Sequence, residues 1–235
     1  MSELIVALDL PSLEATCGIL DRLEGLPLIY KVGFEAYAGY GPAILKELEK
    51  RNASYFLDLK LHDIPRTVAA AMRALVAPRA RIVDIHALGG SEMMLAAVEA
   101  AEERAHELGI DPPEVFAVTV LTSIAEEELR EIGLVGGPGE NATRLAALAR
   151  DARCAGVVCS PREVRDLKSF FGTEFKTLTP GVRPPGAGHG DQKRVMTPRE
   201  ARDAGSDYIV VGRPILEAAE PREAASAILA DLVPA

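Results

Sequence analysis

Cysteine is scarce: 235 residues hold only Cys17, Cys154 and Cys159, an odd number with no CxxC pair among them. That excludes a disulfide framework and gives no zinc-ligand spacing, and a reducing cytoplasm is the expected home. Positive charge is also short. Lys and Arg number 26 against 35 Asp and Glu, a formal charge of −9, the wrong sign for broad attraction to nucleic acid or an anionic membrane. A phosphate-bearing ligand must therefore be held by a local set of groups. No apolar run is long enough to cross a bilayer, and the start MSELIVALDL, with acidic Glu3 and a short apolar stretch, is unlike a signal peptide. Linkers, low-complexity tracts and sequence repeats are absent too. With 48% hydrophobic residues, the chain suits one large domain over residues 1–235 with a substantial core.

What the chain does have is an alternation of short apolar runs and helical patterns. Runs at residues 4–8, 28–32, 56–59, 81–86, 115–121, 156–159, 175–179 and 208–211 read as strands. Helical patterns follow them, one through Leu13, Ile19 and Leu23, one through Ile44, Leu45 and Leu48, and one over residues 65–76. A fourth, led by Ser91 as N-cap, carries Met94, Leu95 and Val98, and others cover residues 126–131 and 141–153. About eight strand-helix units in one domain predict a single TIM (β/α)8 barrel. An open doubly wound sheet is disfavoured, because no GxGxxG follows the first strand.

A barrel gathers its chemistry at the carboxyl ends of its strands. Asp9, Lys31, Asp58, Lys60, His86, Thr122, Arg183 and Arg213 all fall there. The densest stretch is FLDLKLHDIPRTV, residues 56–68. Asp58 and Lys60, two apart on one strand, are expected on the same face. Asp63 comes three residues later, where His62 and Pro65 mark a loop and a helix start, so it cannot share that face. Gly212 and Arg213, after the eighth strand, offer backbone N–H groups and a guanidinium to a phosphate. The Gly- and Pro-rich stretch over residues 180–192, with Arg183 and Gln192, has the composition of a lid. Asp84 and His86 are two apart but lack a second such pair, so packing or hydrogen bonding is expected of them in preference to metal binding. No base is patterned near Ser160 or the cysteines to make a nucleophile.

These residues together resemble the orotidine 5′-monophosphate decarboxylase family, in its bacterial branch. The core is a DxKxxD signature, Asp58-x-Lys60-x-x-Asp63. It is joined by Asp9 in ALD, Lys31 in YKVG, VTVLTS over residues 118–123, TPGVRP with GDQ, and VVGRPI, in order along nearly the whole chain. One departure is Arg66, where relatives commonly carry asparagine. The resemblance implies loss of CO2 from orotidine 5′-monophosphate to give uridine 5′-monophosphate, the last step of pyrimidine nucleotide synthesis. It implies that Lys60 protonates the carbon that loses CO2, within a charged array of Lys31, Asp58, Lys60 and Asp63. Asp63 and Thr67 would reach the neighbouring site of a homodimer with shared active sites. Asp9 and Lys31 would contact the ribose, Thr122 or Ser123 the pyrimidine, and Arg183, Gln192, Gly212 and Arg213 the phosphate. No metal and no organic cofactor is expected. Two alternatives stand beside this: a Mg2+-dependent sugar-phosphate decarboxylase or aldolase of the same superfamily, and a non-catalytic phosphoribosyl-binding protein, which would have no use for the Asp58-Lys60-Asp63 set.

Overall fold

The computed structural model describes residues 2–184 and 196–233. Eight parallel strands close into a barrel in sequence order, each paired with the next and β8 returning to β1. They are β1 (Glu3–Ala7), β2 (Leu28–Gly33), β3 (Tyr55–Leu61), β4 (Ala80–His86), β5 (Glu114–Val118), β6 (Gly156–Val158), β7 (Lys176–Thr179) and β8 (Tyr208–Val211). Around them lie α1 (Leu13–Arg22), α2 (Phe34–Tyr40), α3 (Pro42–Lys50), α4 (Pro65–Leu75), α5 (Gly90–Leu108), α6 (Glu126–Glu131), α7 (Pro138–Asp151), α8 (Val164–Phe171), α9 (Pro198–Ala204), α10 (Arg213–Leu216) and α11 (Pro221–Leu232). The expected TIM barrel is therefore the observed one. No helix of the described residues is long and apolar enough to cross a membrane.

Period-two alternation divides the core in two. One set of strand residues, including Leu4, Val6, Leu57, Val83, Val157 and Ile209, packs outward against the helices. The other set, Ile5, Ala7, Ile29, Phe56, Ile82, Phe116, Val118, Leu178, Tyr208 and Val210, fills the barrel interior. The inward parity then decides the chemistry at the top. Continuing it two residues toward the carboxyl end carries Ile29 to Lys31, Phe56 to Asp58, Ile82 to Asp84 and Ala7 to Asp9. An apolar floor is thus capped by a layer of charged groups.

Several elements differ from the sequence reading for local reasons. The helix expected after β2 is split into α2 and α3 by Gly41, whose φ of 53° and ψ of −144° no helix accommodates. The fifth strand ends at Val118, earlier than expected, and the chain turns off through Thr119, whose hydroxyl and N–H both reach the Val158 carbonyl. Ser91 is not an N-cap. A 3-10 turn over Ala87–Gly89 intervenes, capped by His86, and α5 starts at Gly90 with Ser91 already inside its first turn.

At Gly156 the strands leave no room for a side chain, since an added Cβ would lie 2.1 Å from the Lys176 carbonyl oxygen on β7. Gly18 on α1 has nothing within 4 Å of the same position. Gly156→Ala should therefore destabilise the protein by about 1–3 kcal/mol through overpacking, whereas Gly18→Ala should stabilise it by about 0.5–1 kcal/mol by restricting the unfolded chain. Urea unfolding of the two variants checks both signs.

Candidate active site

A cavity of about 630 Å3 opens at the carboxyl ends of the strands. Its lining includes Asp9, Lys31, Asp58, Lys60, Thr122, Ser123, Arg183, Gly212 and Arg213. Among the described lining residues, Lys31, Lys60, Arg183 and Arg213 are matched by four acids, Asp9, Glu35, Asp58 and Glu217. For these residues an anion is held by where the cations stand and not by an excess of them.

The centre of the layer is Asp58. Its Oδ2 receives the Lys31 ammonium at 3.1 Å, and its Oδ1 accepts a hydrogen bond from Lys60 Nζ. Lys31 also reaches Asp9 Oδ1 at 3.3 Å. Burial opposes the charge on Asp58, but the two ammonium groups outweigh it and hold the carboxyl well below the usual carboxylate range. Burial likewise opposes the charge on Lys31. Asp58 and then Asp9 outweigh it, and the amine stays protonated above the ordinary lysine range. Gly33 makes the arrangement possible, because a Cβ there would lie 2.6 Å from Lys31 Nζ.

Asp58 and Lys60 share the cavity, yet not by the regular pleat that the spacing suggests. Leu57 pairs with Val83 and Leu61 with Ile85, so β3 uses four residues where β4 uses two. The surplus forms a bulge, and Lys60 sits in it with φ at 49°. For a non-glycine residue this left-handed conformation costs about 1–3 kcal/mol, and bulges re-aim side chains beside active sites. The Lys60 N–H, lost to the β4 ladder, donates instead to Asp84 Oδ1 at 2.7 Å. Asp84 is fully buried, and its contact with the lysine backbone is the hydrogen-bonding role expected of it. His86, two residues on, stacks on His62 with ring centroids 5.3 Å apart. Burial, with His62 and Lys60 beside it, pulls His86 down to about 4, so the ring is neutral near pH 7. Among the described residues, no three His, Cys, Asp or Glu side chains are grouped as a metal site requires.

Asp63 and Thr67 do not join this cavity. Asp63 is exposed, with its Oδ1 accepting the Ile64 N–H at 2.6 Å, and Thr67 lies exposed in the first turn of α4. After β7, the Arg183 N–H donates to the Met196 carbonyl at 2.9 Å, which ties together the two ends that flank residues 185–195. Gln192 lies outside the described residues. Sequence reasoning missed Glu35, Cys159 and Glu217 in the lining. Glu35 follows directly on β2 and Glu217 closes the turn after α10, positions that only the assembled barrel mouth makes neighbours of the site.

Comparison with known proteins bears on the whole chain. A sequence model of the orotidine 5′-phosphate decarboxylase / HUMPS family matches residues 2–228. The orotidine 5′-phosphate decarboxylase of Moorella thermoacetica is 47% identical over 98% of this chain and 92% of its own length. That of Paramagnetospirillum magneticum is 45% identical over 97% of each. Among solved structures, the orotidine 5′-phosphate decarboxylase of Lactobacillus acidophilus superposes with a TM-score of 0.89 at 36% identity over 100% of both chains. That of Pyrococcus horikoshii gives 0.75 at 25% identity, over 97% of this chain and 98% of the other. Sequence and structure agree: the chain belongs to the orotidine 5′-phosphate decarboxylase / HUMPS family.

Proposed function

We infer that this protein is a carboxy-lyase that converts orotidine 5′-monophosphate to uridine 5′-monophosphate in pyrimidine synthesis. The observation that carries the reading is the Lys31–Asp58–Lys60 array. A cavity of about 630 Å3 suits a nucleotide-sized ligand, and its two ends differ in chemistry. Arg183, Gly212 and Arg213, after β7 and β8, offer charge-assisted and backbone hydrogen bonds to a phosphate, with Gln192 assigned to the same task. Asp9 and Lys31, after β1 and β2, are hydrogen-bonding partners for the ribose. Thr122 or Ser123, after β5, meets the pyrimidine. Lys60 then stands at the reacting carbon.

The step is a bond exchange at that carbon. The bond to the carboxylate breaks, its electron pair remains on the ring carbon, and CO2 leaves. The pair takes a proton from the Lys60 ammonium, and the neutral amine regains one from water. A ring carbon without an adjacent electron sink develops nearly full negative charge, so a fixed cation beside it gives its largest stabilisation in the transition state. Asp58 keeps that cation in place through its own hydrogen bond. The remote phosphate supplies binding energy that can be spent at the reacting carbon; the lid expected over residues 180–192 lies, from residue 185 on, outside the described residues.

The Mg2+-dependent sugar-phosphate chemistry that shares this family needs carboxylates free to ligate a cation. Here both oxygens of Asp58 are taken by ammonium groups. Three cysteines with no CxxC pair among them suit a reducing cytoplasm. The functional unit is a homodimer. Phe34, Ile64 and Leu88 are 73%, 62% and 42% exposed after three adjacent strands, large apolar side chains that a second copy would cover. In that arrangement Asp63 and Thr67 serve the partner's cavity.

Mixing the purified protein with orotidine 5′-monophosphate after exhaustive chelation should bleach the substrate's ultraviolet absorbance at the untreated rate. Activity lost on chelation and restored by Mg2+ would favour the sugar-phosphate chemistry. Lys60→Ala should abolish turnover while uridine 5′-monophosphate still binds, and Arg213→Ala should act mainly by raising KM. Turnover of the Lys60 variant near the normal rate, or an unchanged KM for the Arg213 variant, contradicts these roles. Lys60→Ala and Asp63→Ala homodimers should each be nearly inactive. Equal random mixing after dissociation should restore roughly a quarter of wild-type sites, because half the dimers are mixed and each carries one intact site. Verified subunit exchange without any recovery would place Asp63 in its own chain's chemistry.

A further inference from the structure

Asp84 is a fully buried acid that the decarboxylation chemistry does not use. It belongs to the inward parity of β4, two residues above Ile82, and pairs across the ladder with Phe116 of β5, so β5 faces it with no ionisable group. The charged groups that face it are Asp58 and Lys60, both on β3. Its Oδ1 accepts the Lys60 N–H at 2.7 Å. Its Oδ2 receives no N–H or O–H among the described residues, although the Asp84 side chain lies within hydrogen-bonding reach of the Asp58 carboxylate.

We propose that Asp84 is a positioning residue for the decarboxylation, fixing the backbone of Lys60 in its left-handed bulge through one oxygen and the carboxylate of Asp58 through the other. The proposal rests on the decarboxylase reading for its kinetic consequence, while the contacts themselves stand apart from it. Two carboxyl groups in contact satisfy each other only when one carries a proton, because an ionised carboxylate is an acceptor only. Asp58 is held ionised by two ammonium groups, so the proton belongs to Asp84. Burial first, and then the charge of Asp58, drive Asp84 well above the usual carboxylate range, in keeping with a neutral acid. One neutral side chain thereby accepts from the backbone of the proton donor and donates to the carboxylate that holds the donor's ammonium. Without Oδ1, the Lys60 N–H of the bulge has no strand to return to, and the left-handed turn that aims Nζ into the cavity loses its anchor.

Asparagine reproduces both contacts, an oxygen that accepts and an N–H that donates. Asp84→Asn should therefore keep kcat within about threefold and leave the pH profile unchanged, as loss of a well-replaced hydrogen bond costs little. Asp84→Ala should lower kcat about 100-fold, the scale of a catalytic group displaced by an ångström. KM and uridine 5′-monophosphate affinity should stay close to wild type, since phosphate and pyrimidine anchors lie elsewhere and product binding reports a folded site. Amide hydrogen exchange at Lys60, read by NMR without turnover, should speed up about tenfold in the alanine variant and not in the asparagine variant. The proposal is overturned if Asp84→Ala retains wild-type kcat and Lys60 protection. It is overturned equally if Asp84→Asn loses kcat as severely or shifts the pH profile, which would mean that an ionised Asp84 is required; this arm decides even where the alanine variant does not fold. Should the wild-type protein fail to act on orotidine 5′-monophosphate, the exchange result still stands as the measure of positioning, and only the decarboxylase reading falls.

Discussion

Everything at the mouth of this barrel depends on one carboxylate being shared by two ammonium groups. Asp58 binds Lys31 through one oxygen and Lys60 through the other, in a layer set directly on the apolar barrel floor. Removing any one of the three would leave an uncompensated charge in a poorly hydrated place, and breaking a buried pair in this way is far costlier than the pair's net contribution to stability. The array is thus weak as a stabilising device and strong as a positioning one. It keeps two cations fixed side by side in the cavity at distances that would otherwise repel.

The fold contributes by making that layer unavoidable. Parallel strands with strict inward alternation must show side chains of one parity to the interior, and the residues of that parity change from Ile29, Phe56 and Ile82 to Lys31, Asp58 and Asp84 within one step. Below the step, side chains pack closely; above it, Thr122 and Ser123 after β5, Arg183 after β7, and Gly212 and Arg213 after β8 line the cavity. The β3–β4 pair departs from regular pairing, by one extra residue on β4 beside Tyr55 and by the surplus on β3 between Leu57 and Leu61. The bulge on β3 is the local deformation that converts two successive same-face residues into a carboxylate and an ammonium pointing at each other, and the strain at Lys60 is held by a buried acid on the neighbouring strand.

Much of this was legible in the amino-acid sequence. The β8 strand was readable to the residue, because Tyr208–Val211 is an aromatic and β-branched run closed by Gly212. The charged strand ends were readable too, since period-two alternation survives in β1, β2 and β4. What could not be read was set by contacts distant in the chain. The left-handed φ of Lys60 has no signal in its neighbours, as lysine has no preference for that region and the acceptor that anchors it lies 24 residues away on β4. Asp84 itself looked like a packing or hydrogen-bonding residue, and nothing in RIVDIH says that its partner is a backbone N–H. The split at Gly41 was hidden because the apolar spacing of Ile44, Leu45 and Leu48 continues a helical pattern across a residue that breaks it. Asp63 was correctly separated from the Asp58 and Lys60 face by the turn at His62 and Pro65, and in the single chain it lies exposed, outside the described lining of the cavity.

The central claim is that the Lys60 ammonium delivers the proton that replaces CO2 on the pyrimidine ring. Turnover of orotidine 5′-monophosphate in D2O, followed by proton NMR, tests it most directly. The account predicts uridine 5′-monophosphate with deuterium at the ring carbon that carried the carboxylate, formed by the wild-type protein and not by Lys60→Ala. Recovery of the substrate unchanged, or the same labelled product at the same rate from the Lys60 variant, would contradict it.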